Sequence, residues 1–332
     1  MKTITNNTRM NLCKMGAILL VTISGFMQSC GPNPIIDPED PEPQSIDFDY
    51  LTAHSDALVE ISDLHYYDDE SSNLTLKFYD VQNSTDDTRP LVILNPGGGY
   101  TRYTHEDKLS IYAMDLAKRG YAVALIKYSI ASTPDAEVWV KAVLDEKTVI
   151  RFFKKNAEEY KIDVNNIFTG GWSTGAQLSM WASHMDAGDY ETLEPTLKNA
   201  IDSEVNSQGF TPSIYEEYDD NVRGTILMMP YTNDLNIFDT DGPAIMLVGH
   251  ESQHFLDGTI LMGELTYNTI KHYGPDKMKE AIEAAGYIDG ENFDYTLFTN
   301  DGTAFSEINQ SILTRVDMED VVDFIHRNLV QE

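Results

Sequence analysis

The spacing of apolar and polar positions changes character repeatedly along the chain. Leu74, Leu76 and Phe78 alternate with polar residues, which predicts a half-buried strand over 73–81, with 57–64 as its partner. Positions 91–94 are apolar without a break, the pattern of a strand buried on both faces, and 121–126 repeats it. A helix is predicted over 108–118 between them. A longer one is predicted over 136–160, where Val138, Val143, Leu144, Val149, Ile150 and Phe153 recur at helical spacing. A short strand over 166–169 precedes a helix over 176–185. Further strands are predicted over 223–229, 244–249 and 293–298, and further helices over 258–273, 276–285 and 318–330. This alternation predicts an α/β domain over 46–332, built on a mostly parallel central sheet with helices on both faces.

The rhythm breaks at about 186–222. This stretch is acidic and weakly periodic, carries Gly209 and Pro212, and is expected to form a cap-like excursion over the site. Its Tyr190, Tyr215 and Tyr218 suit either stacking on sugar rings or covering a core.

The first 29 residues read as an export signal. Lys2, Arg9 and Lys14 supply a basic start, and the apolar run over 15–26 is shorter than the ~20 residues a permanent spanning helix needs. Met27-Gln28-Ser29-Cys30 resembles the lipobox of a bacterial lipoprotein, although Met27 stands where Leu is usual. That resemblance implies cleavage before Cys30, acylation of Cys30 and a membrane anchor through the lipid. Ordinary signal cleavage with an incidental cysteine is the plainer reading. Positions 30–45 combine prolines with Asp and Glu and build no core, so they read as an extended tether. The acidic run 37–42 resembles a surface-export signal of some Gram-negative lipoproteins, and reads equally as a solvated spacer.

Charge narrows the partners. With 23 Lys and Arg against 54 Asp and Glu the chain carries −31, and no basic cluster interrupts it. Such a chain is repelled by nucleic acid and by anionic surfaces. Only Cys13 and Cys30 are cysteines, so the mature body is expected to hold no disulfide and no thiolate metal site. No ligand spacing points to a metal, and no cofactor motif is present.

Two motifs carry chemistry. Gly171-Trp172-Ser173-Thr174-Gly175 lies between a predicted strand and a predicted helix, the context in which Gly-x-Ser-x-Gly turns sharply and lifts the serine oxygen above the sheet edge. Asn95-Pro96-Gly97-Gly98-Gly99-Tyr100 ends an earlier strand. Glycines there leave backbone N–H groups of Gly98 and Gly99 able to face an oxyanion, with the Thr174 N–H as a further donor.

The stretch 91–130, with Pro-Gly-Gly-Gly-Tyr, His105-Glu106, Gly120-Tyr121 and Lys127-Tyr128, resembles the carbohydrate-esterase and lipase-like α/β hydrolases. So does 156–176, with Ile162-Asp163 and Gly-Gly-x-Ser-x-Gly-Ala. The likeness covers about 70–185. It implies the α/β-hydrolase fold, no cofactor, and a small-molecule or glycan ester as substrate, with Ser173 as nucleophile, a histidine as base and an acid that orients it.

The chain departs from that pattern twice. In the loop after 244–249, Gln253 stands at the position of the family's acid, and Glu251 or Asp257 could substitute if the loop is shifted. After the last strand, Thr303 stands at the histidine position, and Thr is no base near neutral pH. His254 and His250 lie on the acid loop and are the candidates to replace it. His105 follows the glycine loop, where the family's His-Glu pair is not the triad base; His184 is about 16 Å along its helix from the serine; His326 falls in the last helix. A serine hydrolase and a degenerate fold that binds a ligand without turning it over both remain open at this point.

Overall fold

The computed structural model describes residues 44–67, 73–186, 188–193, 195–204, 212–250, 259–260, 271–298 and 315–330. The described residues belong to one compact unit, Pro43–Glu332. Along it run β1 (Val59–His65), β2 (Thr75–Val81), β3 (Arg89–Asn95), α1 (Glu106–Lys118), β4 (Ala122–Ile126), α2 (Ala136–Lys155), α3 (Ala157–Tyr160), β5 (Ile162–Trp172) and α4 (Thr174–His184). Then follow α5 (Pro195–Glu204), β6 (Gly224–Met228), β7 (Ala244–His250), β8 (Thr259–Ile260), β9 (Lys271–His272), α6 (Pro275–Ala284), β10 (Phe293–Phe298) and α7 (Met318–Arg327).

Eight strands form one sheet in the order β1-β2-β4-β3-β5-β6-β7-β10. β2 is antiparallel to both β1 and β4, and every pair from β4 to β10 is parallel. This is the mostly parallel α/β sheet expected from the sequence. β3, β4, β6 and β7 are buried along their whole length, and their apolar runs reflect side chains alternating between two covered faces. Leu91 and Ile93 of β3 face the core beneath α2, α4 and α6, together with Leu227, Ile245 and Leu247. Val92 and Leu94 face the core beneath α1 and α7, together with Ile226, Met246 and Val248. The two edge strands are less covered: every residue of β1 is partly or fully exposed, and every residue of β10 but Phe293 is partly exposed.

Helix ends follow local chemistry. Asp135 caps α2 by accepting the Val138 N–H at 3.1 Å, and Asp317 caps α7 through the Glu319 N–H at 3.1 Å. The single helix predicted over 136–160 is interrupted at Asn156. Its side-chain amide donates to the Phe152 carbonyl at 2.8 Å, competing with the backbone ladder, and α3 resumes only for one turn.

Two expectations need correction. The helix predicted over 258–273 is not present at either end: Thr259 pairs with His272 and Ile260 with Lys271 in a small antiparallel ladder. Positions 261–270 lie outside the described residues. Thr259 and Ile260 are β-branched, and Gly258 and Gly263 weaken a helix, so the apolar period was the wrong guide there. The excursion at 186–222 also contains a helix that weak periodicity concealed. In α5, Leu197, Ala200 and Ile201 are buried, and their spacing is helical.

The described parts of the excursion are fastened to α2. Arg151 donates to the Pro212 carbonyl at 3.1 Å and pairs with Asp220 at 3.2 Å, while Lys147 reaches Asp220 at 3.6 Å. Tyr215 is buried and donates to the Tyr66 carbonyl at 3.2 Å, so it covers the core and is not free to stack on a sugar.

Candidate active site

The parallel strands present one shared edge, where their carboxyl ends and the loops that follow them gather. In open α/β sheets that edge is where ligands bind. β5 ends there at Trp172, held level with Met228 of β6, while Asn95 of β3 pairs with Gly171. β5 is longer than the strand predicted over 166–169 because Gly170 and Gly171 stay in the ladder with β3 until the chain turns.

The turn itself is Ser173, at φ 53° and ψ −115°. Few residues with a side chain adopt such angles, and holding one there costs on the order of 1–3 kcal/mol. Its surroundings hold it: the Ser173 N–H donates to the Met228 carbonyl at 2.8 Å, and its carbonyl accepts the Gln177 N–H at 3.0 Å. Glycine at 175 is required by packing. A Cβ there would stand 2.1 Å from the Asn95 carbonyl oxygen. The elbow is therefore pressed directly against the end of β3.

Beneath this contact lies a polar group that the chemical motifs do not announce. Asn95 Nδ2 donates to Glu146 Oε1 at 2.7 Å and to Ser179 Oγ at 2.8 Å; Thr169 Oγ1 bonds the same Glu146 oxygen. Ser179 Oγ donates in turn to the Gly175 carbonyl at 3.1 Å. All four side chains are fully buried. Burial pushes the Glu146 carboxyl up to about 7. The signal was in the sequence: Glu146 sits on the apolar stripe of α2 with Val143, Ile150 and Phe153, and an acid on such a stripe calls for partners.

The glycine loop is anchored around the serine. Tyr128 donates to the Pro96 carbonyl at 2.6 Å, and the Thr104 N–H donates to the Gly97 carbonyl at 2.8 Å. Gly98 has φ +136°, and a Cβ there would stand 1.8 Å from the Arg102 carbonyl oxygen, so only glycine fits. The loop and the elbow meet directly: the Gly99 N–H donates to Thr174 Oγ1 at 2.8 Å. Thr174 opens α4, where the first N–H groups lack an intrahelical acceptor. Ser173, Gly98, Gly99 and Thr174 are thus brought together. A groove of about 850 Å³ opens at the same edge, lined by His65, Tyr103, Lys127, Tyr128, Ser129 and Lys141 among others.

The partners of the serine are a different matter. Glu251, Gln253, His254, Asp257 and Thr303 lie outside the described residues, as does Cys30. Among the described residues Ser173 Oγ has no hydrogen-bond partner, so none of the described histidines bonds it. His105 packs its ring on Trp172 at 5.7 Å between centroids. His184 is buried with Nε2 at 3.1 Å from Thr225 Oγ1, and desolvation pushes it down to about 3, so it is a neutral core residue. His250 is buried at the end of β7, two strands from β5 and therefore about 10 Å away across the sheet. His326 is half-buried on α7.

Among the described residues one set of carboxylates converges: oxygens of Asp186, Asp189 and Asp239 lie within 4.8 Å of one another. Asp186 and Asp239 are exposed, as solvated acids commonly are without any ion.

Comparison with known proteins bears on this edge. The family model described as BD-FAE matches residues 76–213, which carry the glycine loop, Glu146 and the elbow. Endo-1,4-beta-xylanase B of Butyrivibrio fibrisolvens is 29% identical over 106 residues, covering 31% of this chain and 16% of that much longer protein. Among solved structures, an esterase of Thermogutta terrifontis with bound propionate superimposes with a TM-score of 0.54 at 15% identity, over 83% of this chain and 97% of that one. The same esterase phosphorylated by paraoxon gives 0.53 at 16% identity, over 83% and 96%. At these identities the structures speak to the fold.

Proposed function

For this chain, a member of the α/β-hydrolase superfamily, we propose a carboxylic-ester hydrolase that uses Ser173 as its nucleophile and takes an acyl ester, of a small molecule or of a carbohydrate, as substrate. The observation that carries the reading is the backbone of Ser173. A strained serine, fixed between β5 and α4 with the glycine loop bonded to Thr174 beside it, supports attack on a carbonyl with the N–H groups of Gly98 and Thr174 as oxyanion donors.

In the first half-reaction Ser173 Oγ bonds to the carbonyl carbon and its proton passes to a base, while the carbonyl electron pair moves onto oxygen. The N–H donors hold that oxyanion. Collapse expels the alcohol, which takes the proton back from the base, and water then hydrolyses the acyl-enzyme by the same steps. His254 is the residue we assign as base, with Glu251 or Asp257 orienting it. Export with a lipid on Cys30 would display the domain on a bacterial membrane or cell surface.

The test is hydrolysis of short p-nitrophenyl esters by the purified domain, with Ser173→Ala as control. Activity that vanishes in the variant supports the proposal; equal rates in both proteins overturn it. The rival reading, a ligand-binding module, draws on Gln253 and Thr303 at the two triad positions. It predicts that a fluorophosphonate probe leaves Ser173 unlabelled.

A further inference from the structure

The Gly99 N–H points at Thr174 Oγ1 at 2.8 Å, and an N–H used in that way is not directed at a substrate. The acceptor is a hydroxyl, and a hydroxyl has a proton of its own to give. Thr174 is 1% exposed, and among the described residues no acceptor for that proton is found. The oxygen is satisfied as an acceptor by Gly99, and the proton remains for a further bond. Here it stands on the residue next to the nucleophile, facing the glycine loop. We infer that the Thr174 hydroxyl is itself a donor of the oxyanion hole and replaces the Gly99 N–H in that role.

The hole then consists of the Gly98 N–H, the Thr174 N–H and the Thr174 O–H. The Gly99 N–H polarises the hydroxyl from behind, which strengthens the bond it gives. The proton stays on Thr174 throughout. When Ser173 Oγ bonds to the carbonyl carbon and the carbonyl pair moves onto oxygen, the O–H donates to the new charge; when the carbonyl re-forms, that hydrogen bond relaxes. This is transition-state stabilisation, so its loss falls on kcat and leaves KM nearly unchanged. The inference rests on the esterase reading and adds a side chain that backbone donors alone do not require.

Three variants test it. Thr174→Val keeps the shape and removes the hydroxyl, and its methyl also shields the Gly99 N–H. It should lower kcat and the rate of Ser173 phosphonylation by about 10²-fold, the scale of a lost oxyanion donor. Thr174→Ser restores the hydroxyl and should stay within a few-fold of wild type. Thr174→Ala opens the space and should lose less than Val, because the oxyanion can then take the Gly99 N–H directly. Thermal unfolding of each variant shows whether it is folded. A Thr174→Val protein that reacts as fast as wild type overturns the inference. So does a Thr174→Ala protein that reacts faster, which would make the hydroxyl a plug. If the folded wild type is neither labelled nor active, the esterase reading falls together with this one. Loss of labelling in Thr174→Val alone distinguishes the two.

Discussion

Asn95 Nδ2 and Glu146 Oε1, 51 positions apart in the chain, lie 2.7 Å apart directly beneath the elbow. The bond ties the end of β3 to the middle of α2, and through Ser179 to the first turns of α4. The acid in this pair is protonated more readily than an exposed one, since burial pushes it up to about 7 from an ordinary 4.5. Between pH 4.5 and about 7 the folded protein therefore holds a proton that the unfolded chain has released, and stability from this group falls as pH rises through that window. Glu146→Gln removes the titration while keeping an amide oxygen for Asn95. Urea unfolding at pH 5 and pH 8 should show wild type gaining on Glu146→Gln at the lower pH. An unchanged difference between the two proteins would show that Glu146 does not titrate there.

His184 acts in the opposite direction. Buried beside Phe238 and pushed down to about 3, it stays neutral in the folded protein, whereas the unfolded imidazole takes a proton below about 6.5. Stability is lost as pH falls from 6.5 toward 3. A His184→Gln protein, without a titrating ring, should lose less stability than wild type on going from pH 7 to pH 4, whatever its stability at neutral pH. Parallel pH curves for the two proteins would refute this.

Gly175→Ala places a methyl where the Asn95 carbonyl oxygen already stands, and neither backbone can yield without moving the elbow. We expect destabilisation of about 1–3 kcal/mol, the range for forced overpacking, together with loss of Ser173 labelling. A Tm equal to wild type with full labelling would mean that the contact between α4 and β3 is looser than described.

Asp220 is the anion that Lys147 and Arg151 share, and both cations are buried on α2. Removing it with Asp220→Ala leaves Lys147 buried and unpaired, at a cost of about 3 kcal/mol, the lower end for breaking a buried pair. Limited proteolysis should then cut within 212–222 sooner than in wild type. Identical digestion patterns would place the anchoring of the excursion elsewhere.

For the base, separate His254→Gln and His105→Gln proteins give different outcomes. Loss of esterase activity only in the first supports the assignment of His254. Loss only in the second would move the role to the ring packed on Trp172.

Sequence patterning resolved the sheet because its central strands are buried on both faces and read as apolar runs: 91–94 falls within β3 and 244–249 within β7. It resolved the elbow and the glycine loop because both depend on glycines whose replacement meets backbone atoms. It missed α5, whose apolar positions are only Leu197, Ala200 and Ile201, and misread 259–260 and 271–272, which pair as strands. It gave no view of the Asn95–Glu146–Ser179 group. Those residues are far apart in sequence, and only the crossing of β3, α2 and α4 joins them. Nor did it suggest that the Gly99 N–H is taken by Thr174, because that depends on a side-chain torsion.

The contact between Gly175 and Asn95 also has a meaning for sequence drift. Gly171 and Gly175 cannot accept a side chain without colliding with β3, and that requirement is independent of whether the serine ever reacts. Packing alone would preserve the glycines long after a histidine or an acid had been exchanged for Thr303 or Gln253. The pentapeptide is thus a durable record of ancestry, and the residues on the loops beyond it report whether the chemistry is still practised.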